Sequence, residues 1–280
     1  MSEFPRTVVG GVSLPRLLIG SNWFLGYSHT SVAKDNFIKT YQDPDSVAEI
    51  LAVFLEYGVD AIMGPMSDKM EEAVQKAEQK AGKGITRILT PHFNITPGGP
   101  AEMAPERIFD KCKEMGATFC MPHQAITDAL MDRMVRKIRD IDIYTKMIRE
   151  RDMIPGLSTH MPETPIYADE TGADVETYIQ LYNAAGFLLQ VETDWVMRII
   201  QNAKKPVMTI KPLAAGRLLP PTGLAFVWNT IRDCDMVTVG TMSTYEAEEV
   251  IEISRACIEA RDSDVELQRT RSKESLAPPT

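Results

Sequence analysis

The chain has 280 residues, 44% of them hydrophobic and 25% charged, ordinary proportions for a folded protein with a core of its own. A net charge of -9 disfavours the clustered Lys and Arg that bind polyphosphate, so neither nucleic acid nor an anionic membrane is expected as a partner. No run approaches the roughly 20 apolar residues of a membrane span.

Short apolar runs alternate with helical patterns along nearly the whole length. Arg6-Thr-Val-Val-Gly-Gly-Val-Ser-Leu places two β-prone pieces around Gly10-Gly11, the pattern of a hairpin, expected to plug the bottom of the structure that follows. Strand signals come next at Arg16–Ser21, Val59–Gly64, Thr86–Thr90 and Thr118–Met121, then at Ile154–Ser158, Phe187–Glu192, Val207–Ile210 and Met236–Gly240. Between and after them helices are expected over 43–55, 67–81, 104–115, from the fourth strand through Arg151, and over 174–185, 195–203, 224–232 and 245–261. Eight strand signals, each followed by a helix signal, predict an α/β fold of the TIM (β/α)8 barrel class with an N-terminal β-hairpin. A doubly wound open sheet is the alternative, weakened because no GxGxxG joins the first strand to its helix. The barrel is expected over residues 1–267 as one domain. Residues 268–280, polar and ending in Ala-Pro-Pro-Thr, are expected to form a dispensable flexible tail.

Cys112, Cys120, Cys234 and Cys257 form no CxxC pair and read as reduced thiols. The start, MSEFPRTVVGG, lacks a basic stretch followed by an apolar one. Together these features predict a cytoplasmic protein.

Chemistry in such barrels sits where strands finish. His29, His92, His123 and His160 follow the first, third, fourth and fifth strand signals, Glu192 ends the sixth and Lys211 the seventh. His92, His123, His160 and Glu192 are therefore candidate ligands of a divalent metal (zinc, nickel, copper or iron), and His92, His123, Glu192 and Lys211 candidate acid–base groups. The competing reading makes each histidine a hydrogen-bonded cap and Lys211–Glu192 a buried ion pair. A lysine in a dry mouth is alternatively a base or Schiff-base nucleophile. His29 reads as a surface or lid residue. The stretch Gly240-Thr-Met-Ser-Thr, with Gly240 and Ser243, is a candidate anion site at a helix N-terminus.

Several motifs resemble the aldo-keto reductase superfamily, especially its ferredoxin-associated bacterial branch: Leu18-Ile-Gly-Ser-Asn-Trp, Gly156-Leu-Ser-Thr-His, Gln190-Val-Glu, Ile210-Lys-Pro-Leu-Ala-Ala-Gly-Arg-Leu and Val239-Gly-Thr-Met-Ser. The resemblance implies a mouth that holds NAD(P)H, with Ser158, Thr159 and Gln190 against the nicotinamide and His123 as the catalytic histidine; Gly240 and Ser243, from the anion site, are further cofactor-binding candidates. No evident basic cluster for a 2′-phosphate follows the eighth strand, where Arg255 and Arg261 are the candidates. The family's catalytic Asp and Tyr are missing from Ala61-Ile-Met-Gly-Pro-Met-Ser-Asp, and Thr90-Pro91-His92 stands where its Lys belongs.

Two functions follow as expectations. One is a re-equipped barrel whose histidine-rich mouth does metal-assisted or acid–base chemistry of the lyase, isomerase or hydrolase type on a small polar substrate. The other is a divergent NAD(P)H-dependent reductase. A barrel that binds a small molecule without catalysis is a third reading, and a homo-oligomer is compatible with all three.

Overall fold

The computed structural model describes residues 3–266, 268 and 273, so the expected tail lies, apart from residues 268 and 273, outside the described residues. The chain opens with the antiparallel hairpin β1 (Arg6–Val9) and β2 (Val12–Pro15), turned at Gly10-Gly11. Nine parallel segments follow: β3 (Leu17–Gly20), β4 (Ala61–Gly64), β5 (Thr86–Leu89), β6 (Ala117–Cys120), β9 (Ile154–Pro155), β10 (Leu157–Thr159), β11 (Tyr178–Leu181), β12 (Val207–Ile210) and β13 (Met236–Val239). β9 and β10 are halves of one strand interrupted at Gly156. β9 pairs with β6 and β10 with β11, which closes the ring into a barrel.

Two-residue alternation sorts the strand side chains. One set points inward: Leu18, Ala61, Met63, Ile88, Phe119, Met121, Ile179, Met208 and Met236 fill the barrel. Val9 and Leu14 of the hairpin join this cluster from the N-terminal end, so the hairpin plugs the bottom as its sequence predicts. The other set packs against the helices: α1 (Val32–Tyr41), α2 (Pro44–Glu56), α3 (Asp68–Ala81) and α4 (Pro105–Glu114), then α6 (Ile141–Arg149), α7 (Glu163–Thr171), α8 (Thr193–Asn202), α9 (Pro220–Trp228) and α10 (Thr244–Glu259). Each fully buried Leu, Ile or Phe in these layers stabilises the fold by about 1.5–3 kcal/mol. At the bottom, the wholly buried Asp235 accepts hydrogen bonds from the amides of Val207 and Arg232 at 2.8 and 2.9 Å and from the Arg232 guanidinium, tying β12 to β13.

Three expected elements are wrong, the helix through Arg151, the helix over 174–185 and the strand Phe187–Glu192. The helix expected through Arg151 is broken into α5 (Gln124–Thr127), a small hairpin β7 (Met131–Asp132) and β8 (Lys137–Ile138), and α6. More consequentially, the sixth barrel strand is Tyr178–Leu181 and not Phe187–Glu192, and α7 lies before it, at Glu163–Thr171. The stretch from Tyr178 to Leu189 is apolar at both ends, and short apolar runs do not distinguish strand from helix. Tertiary contacts decide: Thr177 donates its hydroxyl to Pro206 at 2.9 Å and seats Tyr178–Leu181, fully buried, between β10 and β12. Phe187 instead belongs to a loop clamped by Asn183, which accepts from its amide and donates to its carbonyl, while the Arg217 guanidinium stacks over its ring at 4.0 Å.

All four cysteines are free thiols; Cys112 and Cys120 are buried, and burial raises the Cys120 pKa well above its ordinary value. Among the described residues no helix is long and apolar enough to cross a membrane.

The interrupted strand makes a sharp prediction. A Cβ at Gly156 would lie 2.6 Å from Met121 Cε and 2.9 Å from the Thr177 carbonyl oxygen. Gly156→Ala should destabilise the protein by about 2 kcal/mol, since the carbonyl belongs to backbone that holds the ring closed. Urea denaturation reads this, and an unshifted midpoint would refute it.

Candidate active site

The C-terminal end of the barrel opens into a cavity of about 1040 Å³. Alternation carries straight into it. The inward set Ile88, Thr90, His92 on β5 and its extension, Phe119, Met121, His123 on β6, and Ser158, His160 on β10 each advance by two residues, and Thr90, His92, His123, Ser158 and His160 line the cavity. Lys211 departs from this register: its backbone is left-handed, φ 60°, yet its side chain also lines the cavity. His29 lines the rim as an exposed residue, as its loop predicts.

The imidazoles are held from behind. His123 donates its backbone amide to the Pro91 carbonyl at 2.9 Å, joining the ends of β5 and β6, and its Nδ1 accepts from the Ala125 amide at 3.2 Å. That bond occupies the Nδ1 lone pair, so the neutral ring carries its proton on Nε2. The His92 and His123 ring centroids are 6.4 Å apart and perpendicular. At the other end of α5, Asp128 accepts the His160 amide at 3.1 Å and the Thr159 hydroxyl. One short helix thus spans two catalytic candidates, with His123 at its first turn and Asp128 bracing His160.

Electrostatics in the mouth follow from burial and like charge. Burial, Lys211, His123 and His29 together push His160 down to about 4. Burial, His92 and Lys211 lower His123. Lys211 is lowered to about 8 by burial alone. The carboxylates Glu246 and Glu249 face the cavity from α10. Lys34 and Lys211 line the same cavity, so its charges are mixed, with Lys211 beside the histidines and the two carboxylates on α10.

Several expected site residues are elsewhere. Glu192 caps the start of α8 and is exposed, and Gln190 lies in the same exposed loop, because both were assigned to a strand that is not one. The Lys211–Glu192 ion pair is therefore not formed. Among the described residues no three His, Cys, Asp or Glu side chains converge as a metal site, so the set His92, His123, His160 and Glu192 is not assembled. Thr159 is one residue out of phase with Ser158 and points among Asp128 and Thr164, away from the cavity. Ser243 accepts from the Glu246 amide at 3.1 Å as a helix cap and does not line the cavity. Gly240 does, and a Cβ there would meet Trp23 Cδ1 at 2.5 Å, so glycine lets Trp23 close that wall.

Sequence reasoning missed Ser21, which lines the cavity and whose own hydroxyl is buried without a hydrogen-bond partner, as is that of Thr241 within the motif Gly240–Thr244. Asp128 was also missed. No local pattern marks it, since its partners lie 31 and 32 residues away.

The fold has known counterparts. An assigned aldo-keto reductase of Pseudomonas aeruginosa is similar over 90% of this chain and 96% of its own, at 14% identity and a TM-score of 0.64. An aldo/keto reductase of Brucella melitensis matches over 92% and 98%, at 14% identity and a TM-score of 0.58. The chain shares the barrel fold of these aldo-keto reductases. An orotidine 5′-monophosphate decarboxylase of Methanocaldococcus jannaschii is similar over 86% and 98%, at 16% identity and a TM-score of 0.53, so the architecture also serves other chemistry. No family model and no curated protein matches the sequence.

The residues that would hold a nicotinamide cofactor fit poorly. Of Ser158, Thr159 and Gln190 only Ser158 reaches the cavity. The two arginines proposed for a 2′-phosphate are engaged: Arg255 is buried beside the Tyr57 ring, and Arg261 pairs with Glu252 and Glu259.

His160 gives a test of this electrostatic picture. Its folded-state pKa, about 4, lies below the ordinary value of 6.5. In the window between those values the unfolded chain binds more protons, so stability rises with pH. The contribution is fully present above the unfolded value and is lost as pH falls toward the folded one. His160→Asn should flatten the acid side of the stability curve by up to about 3 kcal/mol. Urea midpoints at neutral and mildly acid pH check it; parallel curves for parent and variant would contradict it.

Proposed function

We propose that the barrel mouth is the active site of an enzyme performing acid–base chemistry, of the isomerase or lyase type, on a small polar anionic substrate. The observation that carries this is the convergence of His123, His160 and Lys211 on one cavity, with His92 adjacent. In this reading Lys211 attracts the anion and His123 donates its Nε2 proton toward an oxygen that gains charge. His160 is neutral in the empty mouth. A bound anion offsets the charge of Lys211, which lifts the imidazole pKa values toward neutrality and makes His160 a competent base when substrate is present. Free thiols suit the cytoplasm as the place of action.

The experiment is proton exchange in deuterium oxide, read by proton NMR across a panel of small hydroxy acids, aldehydes and ketones. His123→Ala should slow exchange about a hundredfold or more while the protein still folds, its stability lowered only by the lost α5 cap, about 1 kcal/mol. Full activity in that variant, or no exchange with any panel member, would overturn the reading. Tight NADPH binding in a fluorescence titration, or stoichiometric metal in the purified protein, would redirect it to a reductase or a metal-assisted enzyme.

A further inference from the structure

Lys211 sits where β12 meets the cavity, in a left-handed backbone conformation that holds its side chain at the mouth. Its amine makes no hydrogen bond, ion pair or ring contact with any described residue. Another partly buried lysine, Lys69, shows the usual solution, its ammonium donating to the carbonyls of Phe24 and Gln42. An ammonium largely desolvated at a cavity wall without a protein partner is costly, and the cost is relieved when the group gives up its proton. Ile179, Ile210 and Leu213 supply apolar wall around it, while His123 and His160 face the same cavity. Desolvation brings the amine to about 8, where a useful fraction is neutral at physiological pH.

We propose that Lys211 is a nucleophile that condenses with a small aldehyde or ketone in the barrel mouth to form a Schiff base, with His123 and His160 carrying the protons. The neutral amine's lone pair forms the C–N bond, and the carbonyl π electrons move to oxygen, which takes a proton from His123 Nε2. The amine then passes a proton to His160. His160 returns that proton to the carbinolamine hydroxyl, the C–O bond breaks and water leaves, and the remaining N–H proton passes back to His123 Nε2, so that a neutral imine remains and both imidazoles are restored. The net change is amine plus carbonyl compound giving imine plus water, with no oxidant or reductant required. This rests on the mouth being the active site, and it assigns Lys211 a covalent role in place of a purely electrostatic one.

The test is reductive trapping of the unmodified full-length protein at neutral pH with sodium cyanoborohydride, using glycolaldehyde and pyruvate as probes. Cyanoborohydride supplies the hydride that turns the imine into a stable secondary amine. Peptide mass mapping should then find Lys211 carrying the mass of the carbonyl compound less one oxygen atom. Modification at Lys211 should proceed roughly tenfold faster than at Lys34, a lysine at the rim of the same cavity, because a lowered pKa leaves more neutral amine. Equal rates at Lys34 and Lys211, or labelling confined to surface lysines, would overturn the proposal. Lys211→Arg, checked by circular dichroism for intact folding, separates the two readings: exchange that persists in this variant, with no trapping in the parent, retains acid–base chemistry and removes the Schiff base. Trapping at Lys211 with no proton exchange on any panel compound retains the Schiff base and removes the acid–base reading.

Discussion

Closure of the ring depends on a strand that is broken in the middle. β9 and β10 pair with different neighbours, and Gly156 lets the interior chain pass Met121 and Thr177 at distances no side chain would permit. Without that close approach the sheet would be open, with β6 and β11 as free edges. Everything at the mouth inherits this constraint, because Ser158 and His160 lie on the very segment that completes the circle.

A closed ring gives the strand ends a common target. In an open sheet, residues after successive strands would be spread along a line; in a barrel they surround one cavity. The inward alternation that packs Ile88, Phe119 and Met121 below continues upward to His92 and His123, so the apolar filling of the barrel and the polar lining of its mouth are one pattern seen at two heights. Asp128 and the short helix α5 add a brace across the strand ends, coupling the positions of His123 and His160 through backbone hydrogen bonds.

The electrostatic cost of gathering these groups is visible in their protonation. Burial and nearby positive charge favour the neutral forms of His123 and His160, and Lys211 is lowered by burial with no carboxylate paired to it. Buried polar groups are normally paired. The hydroxyls of Ser21 and Thr241 are exceptions to that rule at the mouth, buried without a hydrogen-bond partner.

Local information sufficed for the barrel class, for the hairpin plug and for seven of the eight staves, because period-two apolar runs, caps such as Asp43 and turn glycines are short-range signals. It also placed the four histidines at strand ends. It failed between Ile166 and Glu192, where strand and helix patterns of similar apolarity compete. Only the pairing of Tyr178–Leu181 with β10 and β12 decides which run enters the sheet. That single displacement removed Gln190 and Glu192 from the mouth. The inward or outward sense of Ser158 against Thr159, the turn that brings Lys211 inward and the reach of Asp128 to His160 were likewise settled by tertiary structure. Each depends on which residues face one another across the closed ring, and sequence spacing carries no record of that.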